Sequence, residues 1–288
     1  PVRGAAQIPV AHWAATSLVQ IWLGCIGLAA VIYFIPKIIQ RELFSRQWAA
    51  FGFWMLLLLG GWVNLNSGAP LPVWQIKLSQ FASGLFIFVV IAVGWNLRQT
   101  AKGVPLLGSD NLTLKFMGFA LCAWIVAGLL TFSNVCPSWN AILQFTYANT
   151  AIRHLFAWGF FAMAMLGAIY YVAPRLIGPN LDWPCAKTYN WIYRFIAIGA
   201  VIIVLAGVGM AYSHGQAIQS TGIEPEVLQK KALMPMRVAF LGEVLFLLSS
   251  LIFLGSMLCL LARNCCGECS PMSLWRQFRG TQTEGGSK

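Results

Sequence analysis

The chain has 288 residues, 59% of them hydrophobic and 9% charged, with a mean hydropathy of +0.72 and a formal net charge of +11. That composition lies far outside the range of water-soluble domains and excludes a soluble enzyme or a nucleic-acid-binding module. The surplus of Lys and Arg is read instead as membrane topology and attraction to anionic lipid.

Apolar runs of about 17–25 residues cross a bilayer as helices. Seven are predicted, at roughly 13–35, 48–65, 79–97, 116–133, 153–173, 191–212 and 235–262. The expected protein is all-α: a seven-helix membrane domain over residues 1–262 and a cytoplasmic tail over 263–288. Span one opens with His12 and follows Pro1 without a separate cleavable signal, so it is expected to serve as the insertion signal. Span two ends at Asn64 and Asn66, which read as capping and turn residues. Span five opens with Arg153 and His154, span six closes with His214, and span seven carries Glu243. Beyond it, "NCCGECSPM" holds Cys265, Cys266 and Cys269 at the close spacing of a metal or redox site. No second ligand cluster accompanies them, so interfacial or lipidated thiols are the simpler reading.

Seven crossings put the two termini on opposite sides, and the basic residues say which is which, because Lys and Arg near span ends are retained in the cytoplasm. Six of the 19 basic residues fall on the side of the N-terminus and thirteen on the other. The N-terminus is therefore expected outside and the C-terminus in the cytoplasm. Cys136 and Cys185 then lie on opposite sides and cannot pair.

With that topology His12, His154 and His214, the only histidines of the chain, all lie at the outer side. Imidazole is a common ligand of haem iron and copper, and two histidines on neighbouring helices at one depth would hold a haem between them. Each also reads as an interfacial side chain bonded to water or headgroups. Arg153 suits a haem propionate through its planar fork of donors, and equally suits a snorkelling anchor. Glu243 is the one carboxylate clearly within a span, where an acid is expensive and usually functional or paired. Arg237 lies six residues from it, off the three-to-four spacing that faces side chains on a helix. A proton or quinone role and a structural contact both remain open for Glu243.

"GLAAVIYFIPKIIQRELFS" (27–45) and "LGAIYYVAPRLIGPNLDWP" (166–184) echo one another, each running from aromatics through Pro and a basic residue into a turn. Together with "HLFAWGFFAMAMLGAIYYVAPRLIG", "YNWIYRFIAIGAVIIVLAGVGMAYSHGQ" and "VLQKKALMPMRVAFLGEVLFLLSSLIF", these segments resemble the catalytic subunit of cbb3-type cytochrome c oxidase, in the haem-copper oxidase superfamily. The similarity covers residues 10–262 and matches the last seven of that subunit's twelve core helices. It implies a haem-copper-oxidase-like helical bundle in a bacterial-type inner membrane, working beside other subunits of a respiratory complex and exchanging electrons with a cytochrome c or an external oxidoreductase.

The resemblance does not bring the oxygen-reducing centre with it. Aligned on "GAIYY", the family's high-spin haem ligand falls on Ile152 and its low-spin haem ligand on His154. The copper-binding histidine falls near Thr16, the histidine pair near Asn64 and Leu65, and no tyrosine occupies 47–66. What the resemblance implies is a subunit that binds no copper and reduces no oxygen, is not catalytic alone, and carries at most one haem b. The ligands of that haem would be His154 and His12, with His214 as the weaker candidate and Arg153 at a propionate. A haem-free structural subunit, or a quinone-binding or proton-translocating one using Glu243, are the alternatives.

Overall fold

The computed structural model describes residues 4, 7–63, 71–143, 146–177, 186–219 and 224–265. These are helical throughout apart from connecting turns: α1 (Gln7–Ser17), α2 (Gly24–Ile39), α3 (Arg46–Leu59), α4 (Val73–Thr100), α5 (Leu112–Phe132), α6 (Pro137–Leu143), α7 (Ala148–His154), α8 (Met163–Ile177), α9 (Ala186–Gln219) and α10 (Pro225–Cys265). Two π-helical segments, Leu18–Leu23 and Leu155–Ala162, join α1 to α2 and α7 to α8 into continuous rods.

Among the described residues six helices are long and apolar enough to cross a membrane: Trp13–Ile39, Val73–Thr100, Leu112–Val135, Ala148–Leu176, Lys187–Ala217 and Gln229–Ala262. Because the turn that follows α2 is clamped to the end of α4, the chain crosses the bundle between those two helices. The seventh span, expected at 48–65, falls there on the 14-residue α3, which covers about 21 Å at 1.5 Å per residue. It breaks into a turn over 60–63, and Asn64 and Asn66 lie outside the described residues. The stretches left between predicted spans at 134–152 and 213–234 are also largely helical: α6 and α7 fill the first, and α9 and α10 extend into the second. Their polar residues hid helix that continues past the apolar stretch.

The core is aromatic. Trp124 on α5 is fully buried between Phe86 of α4, at 6.4 Å between ring centroids, and Phe160 of the second π segment, at 6.1 Å. At the other end Phe116, Tyr170 and Tyr189 tie α5, α8 and α9 together with edge-on contacts of 5.2 and 4.6 Å, geometries the ring quadrupoles favour. Large apolar side chains such as Trp22, Trp54 and Phe240 point outward, as they must where the surrounding solvent is lipid.

The echo between 27–45 and 166–184 is physical. Lys37 donates to the Tyr33 hydroxyl at 2.7 Å, while Arg175 stacks on the Tyr171 ring at 3.5 Å. Phe34 and Tyr171 touch at 5.3 Å, so the two Pro-containing helix ends lie side by side at one face.

The turn between α2 and α3 is clamped to α4. α2 stops at Gln40, whose φ of 54° is left-handed. Asn96, buried on α4, then brackets Ser45: its Oδ1 accepts from the Ser45 N–H at 2.9 Å and its amide donates to the Ser45 carbonyl at 2.8 Å. Thr100 accepts from the Phe44 N–H at 3.0 Å, and Arg41 donates to the Lys102 carbonyl. Asn96→Ala leaves both Ser45 backbone groups without these partners and is expected to cost about 2–4 kcal/mol. Thermal unfolding of the purified protein in mild detergent checks this, with Asn96→Asp, which keeps only the acceptor, falling in between.

Candidate functional site

Tyr147, His154 and Glu243 converge where the rod formed by α7, the π segment and α8 meets α9 and α10. The meeting of α9 with α10 is set by Gly199 and Gly242, each lacking the side chain that would strike the other's backbone: a Cβ on Gly242 would lie 2.9 Å from the Gly199 carbonyl oxygen, and one on Gly199 3.0 Å from that of Gly242. Higher on α9, Gly207 lets Ala148 and Ala151 of α7 approach in the same manner. This close packing draws Glu243, next to Gly242, toward the start of α7.

There Glu243 finds two partners. The Tyr147 hydroxyl donates to Glu243 Oε1 at 2.7 Å, and His154 Nε2 lies 3.6 Å from the same oxygen. The second distance is beyond a hydrogen bond and is a charge contact whenever the imidazole is protonated. The phenol and imidazole rings stack at 6.3 Å, inclined by 21°. Below this layer the indole of Trp158, one turn past His154, stacks on Phe246 at 5.1 Å and 18°, closing the contact on the apolar side. The π segment that starts at Leu155 supplies the change of register that follows His154, a device frequent at functional sites. Tyr147, just ahead of α7, has its phenol pushed well above the ordinary range, by burial first and then by the Glu243 bond and charge. It therefore stays a donor at every physiological pH.

The remaining sequence candidates separate from this cluster. Arg153 donates to Thr150 Oγ1 at 3.3 Å on its own helix. His214 lies on α9, with Nδ1 buried and without a hydrogen-bond partner among the described residues. His12 lies on α1, but its side chain is outside the described residues, as is that of Cys265 and the whole of Cys266 and Cys269. Among the described residues no group of three or more His, Cys, Asp or Glu side chains forms a metal site. Arg237 is not what Glu243 pairs with. Tyr147 was missed by sequence reasoning, because it lies in a connection 96 residues from Glu243 and only the folding of 134–152 into α6 and α7 carries it there.

A haem at His154 needs an open position at an imidazole nitrogen, since a metal sits about 2 Å from it. In this arrangement Glu243 Oε1 stands across Nε2 at 3.6 Å, with the Tyr147 ring alongside. The residues around His154 thus do not fit an axial ligand without displacement of Glu243. Two positions earlier, Ile152 is 4% exposed and turns to the opposite side, where it lines an apolar cavity of about 490 Å³ with Leu143, Ala148, Val204 and Gly207.

Helices of this length and apolarity, packed by glycine and aromatic contacts, define a polytopic helical membrane protein. The family model described as Cytochrome C and Quinol oxidase polypeptide I matches residues 7–245, and the chain belongs to that family. It is 27% identical over 185 residues to the Cbb3-type cytochrome c oxidase subunit CcoN1 of Stutzerimonas stutzeri, covering 61% of this chain and 37% of that protein. It is 26% identical over 199 residues to the Cytochrome c oxidase subunit 1 homolog of Agrobacterium tumefaciens, covering 66% and 35%. A stretch of 108 residues is 30% identical to the DNA translocase FtsK of Pseudomonas aeruginosa, but covers 13% of that protein and carries no assignment. The chain spans little more than a third of the length of the two oxidase relatives.

Proposed function

We propose that this chain is a non-oxygen-reducing, oxidase-subunit-I-like membrane subunit of a respiratory electron-transfer complex. In that role it anchors partner subunits in a bacterial-type inner membrane, with the N-terminus outside and the tail in the cytoplasm. Ile152 carries the reading. By the resemblance this is where a high-spin haem would be held, and an isoleucine facing an apolar cavity has no lone pair to offer iron. Thr16, near which the resemblance puts the copper-binding histidine, is a buried hydroxyl and a poor ligand for that metal.

The cluster of Tyr147, Glu243 and His154 gives the subunit a different chemistry. A carboxylate, a phenol and an imidazole within one contact can hold and exchange a proton between α7 and α10, which a ring of apolar helices cannot. This favours the proton-handling reading of Glu243 over a haem b between His154 and His12, with Arg153 or His214 in support.

Purification from membranes in mild detergent tests the proposal. Other electron-transfer subunits are expected to co-purify. The isolated chain is expected to show no reduced b-type band; a band that His154→Ala abolishes establishes the haem reading instead. Recovery of the chain without any partner contradicts the anchoring role.

A further inference from the structure

A second cavity lies at the opposite face, far from the cluster and independent of it. Where α4 ends, residues 101–108 fold back before α5 begins, roofing an open groove of about 1080 Å³ between the two helices. Its floor is apolar and faces the lipid: Ile91, Gly94 and Trp95 from α4, and Cys122, Ile125 and Leu129 from α5. Gly94 keeps the groove open, since a Cβ there would meet Ile125 at 3.3 Å. At the mouth stand Arg98 and Lys102, one helical turn apart.

These two cations repel one another, and neither has an ion-pair partner among the described residues. Asp110, the acidic residue nearest in sequence, follows the roof and does not line the groove. Arg41 donates to the Lys102 carbonyl and so brings its own charge and that of the exposed Glu42 to the same end, where the two offset and neither lines the groove. Trp95, about half exposed, sits one turn inward, at the depth where indole rings mark the headgroup boundary.

We infer that this groove is a binding site for an anionic phospholipid, with its phosphate between Arg98 and Lys102 and an acyl chain along α4 and α5. A small soluble anion would satisfy the cations but leave the apolar floor uncovered. A neutral lipid would cover the floor but leave the cations unpaired. The seven helical steps from Arg98 to Ile91 span about 10 Å, so the charged mouth and apolar floor are ordered as headgroup and chain are in a leaflet. Each juxtamembrane cation tightens binding of anionic lipid about fivefold, so the pair gives about 25-fold.

The test is native mass spectrometry of the full chain in mild detergent, titrated with phosphatidylglycerol or phosphatidylcholine. The wild type is expected to retain one phosphatidylglycerol in preference to phosphatidylcholine. Arg98→Gln with Lys102→Gln is expected to lower that retention about 25-fold. Arg46→Gln with Arg194→Gln, an equal loss of charge outside the groove, is expected to leave it unchanged. Ile91→Trp, which fills the floor and leaves both cations, is expected to weaken retention as well. Equal retention of the two lipids, an unchanged double variant, an equal loss in the control pair, or displacement by millimolar inorganic phosphate would overturn the assignment.

Discussion

Glu243→Ala is expected to destabilise the purified protein by about 1–3 kcal/mol, whereas Glu243→Gln stays within about 1 kcal/mol of the wild type. The asymmetry follows from what each substitution leaves behind. Alanine strands the half-buried Tyr147 hydroxyl, which donates to Glu243 at 2.7 Å, in a contact closed below by Trp158 and Phe246. Glutamine keeps an acceptor oxygen for that hydroxyl but cannot exchange a proton. The two variants therefore separate structure from chemistry. Thermal unfolding reads the first, and the carboxyl band in infrared difference spectra between acid and alkaline buffer reads the second. A titrating band present in the wild type and lost in Glu243→Gln supports the proton role. Equal stability of all three proteins means the contact contributes nothing.

Gly242→Leu is expected to be the most damaging single substitution in the α9–α10 contact. Its Cβ would lie 2.6 Å from Ile203 and 2.9 Å from the Gly199 carbonyl oxygen, and backbone cannot move aside as a side-chain tip can. Overpacking of this kind costs about 1–3 kcal/mol and at times more. Because Glu243 is the next residue, the shift also carries its carboxylate away from Tyr147, and the costs of the two losses are not additive. Gly255→Leu on the same helix meets nothing within 4 Å and is the matched control, expected to be near neutral. Detergent thermal stability distinguishes the pair; equal losses would show that the glycine contact does not hold the helices together.

The membrane architecture was legible because hydrocarbon allows few solutions: long apolar runs must be helices, and most of the predicted spans sit inside observed ones. Where prediction slipped, the reason was local. α3 is shorter than the span predicted there, because the helix ends at Leu59 and the chain turns over 60–63. α9 and α10 outrun their apolar cores because polar residues such as Ser213, His214 and Gln216 are compatible with helix where the rod leaves the bilayer.

The site was half legible. Glu243 stood out as an acid within a span and His154 as a rare imidazole, but nothing in the sequence joined them. Their meeting depends on Gly199 facing Gly242 and on the π segment after His154, features of packing rather than of periodicity. Tyr147 was invisible for the same reason. The charged groove at Arg98 and Lys102 was foreshadowed only as a general attraction to anionic lipid, since the roof over 101–108 is a tertiary feature.

The central claim is that an oxidase-type helical scaffold persists here without an oxygen-activating centre. It is tested most directly by metal analysis of the purified chain, combined with its carbon monoxide difference spectrum and its rate of dioxygen consumption with an artificial electron donor. The account predicts no stoichiometric copper, no carbon monoxide-binding haem and no uptake above the protein-free rate. Copper at one atom per chain together with dioxygen consumption would contradict it.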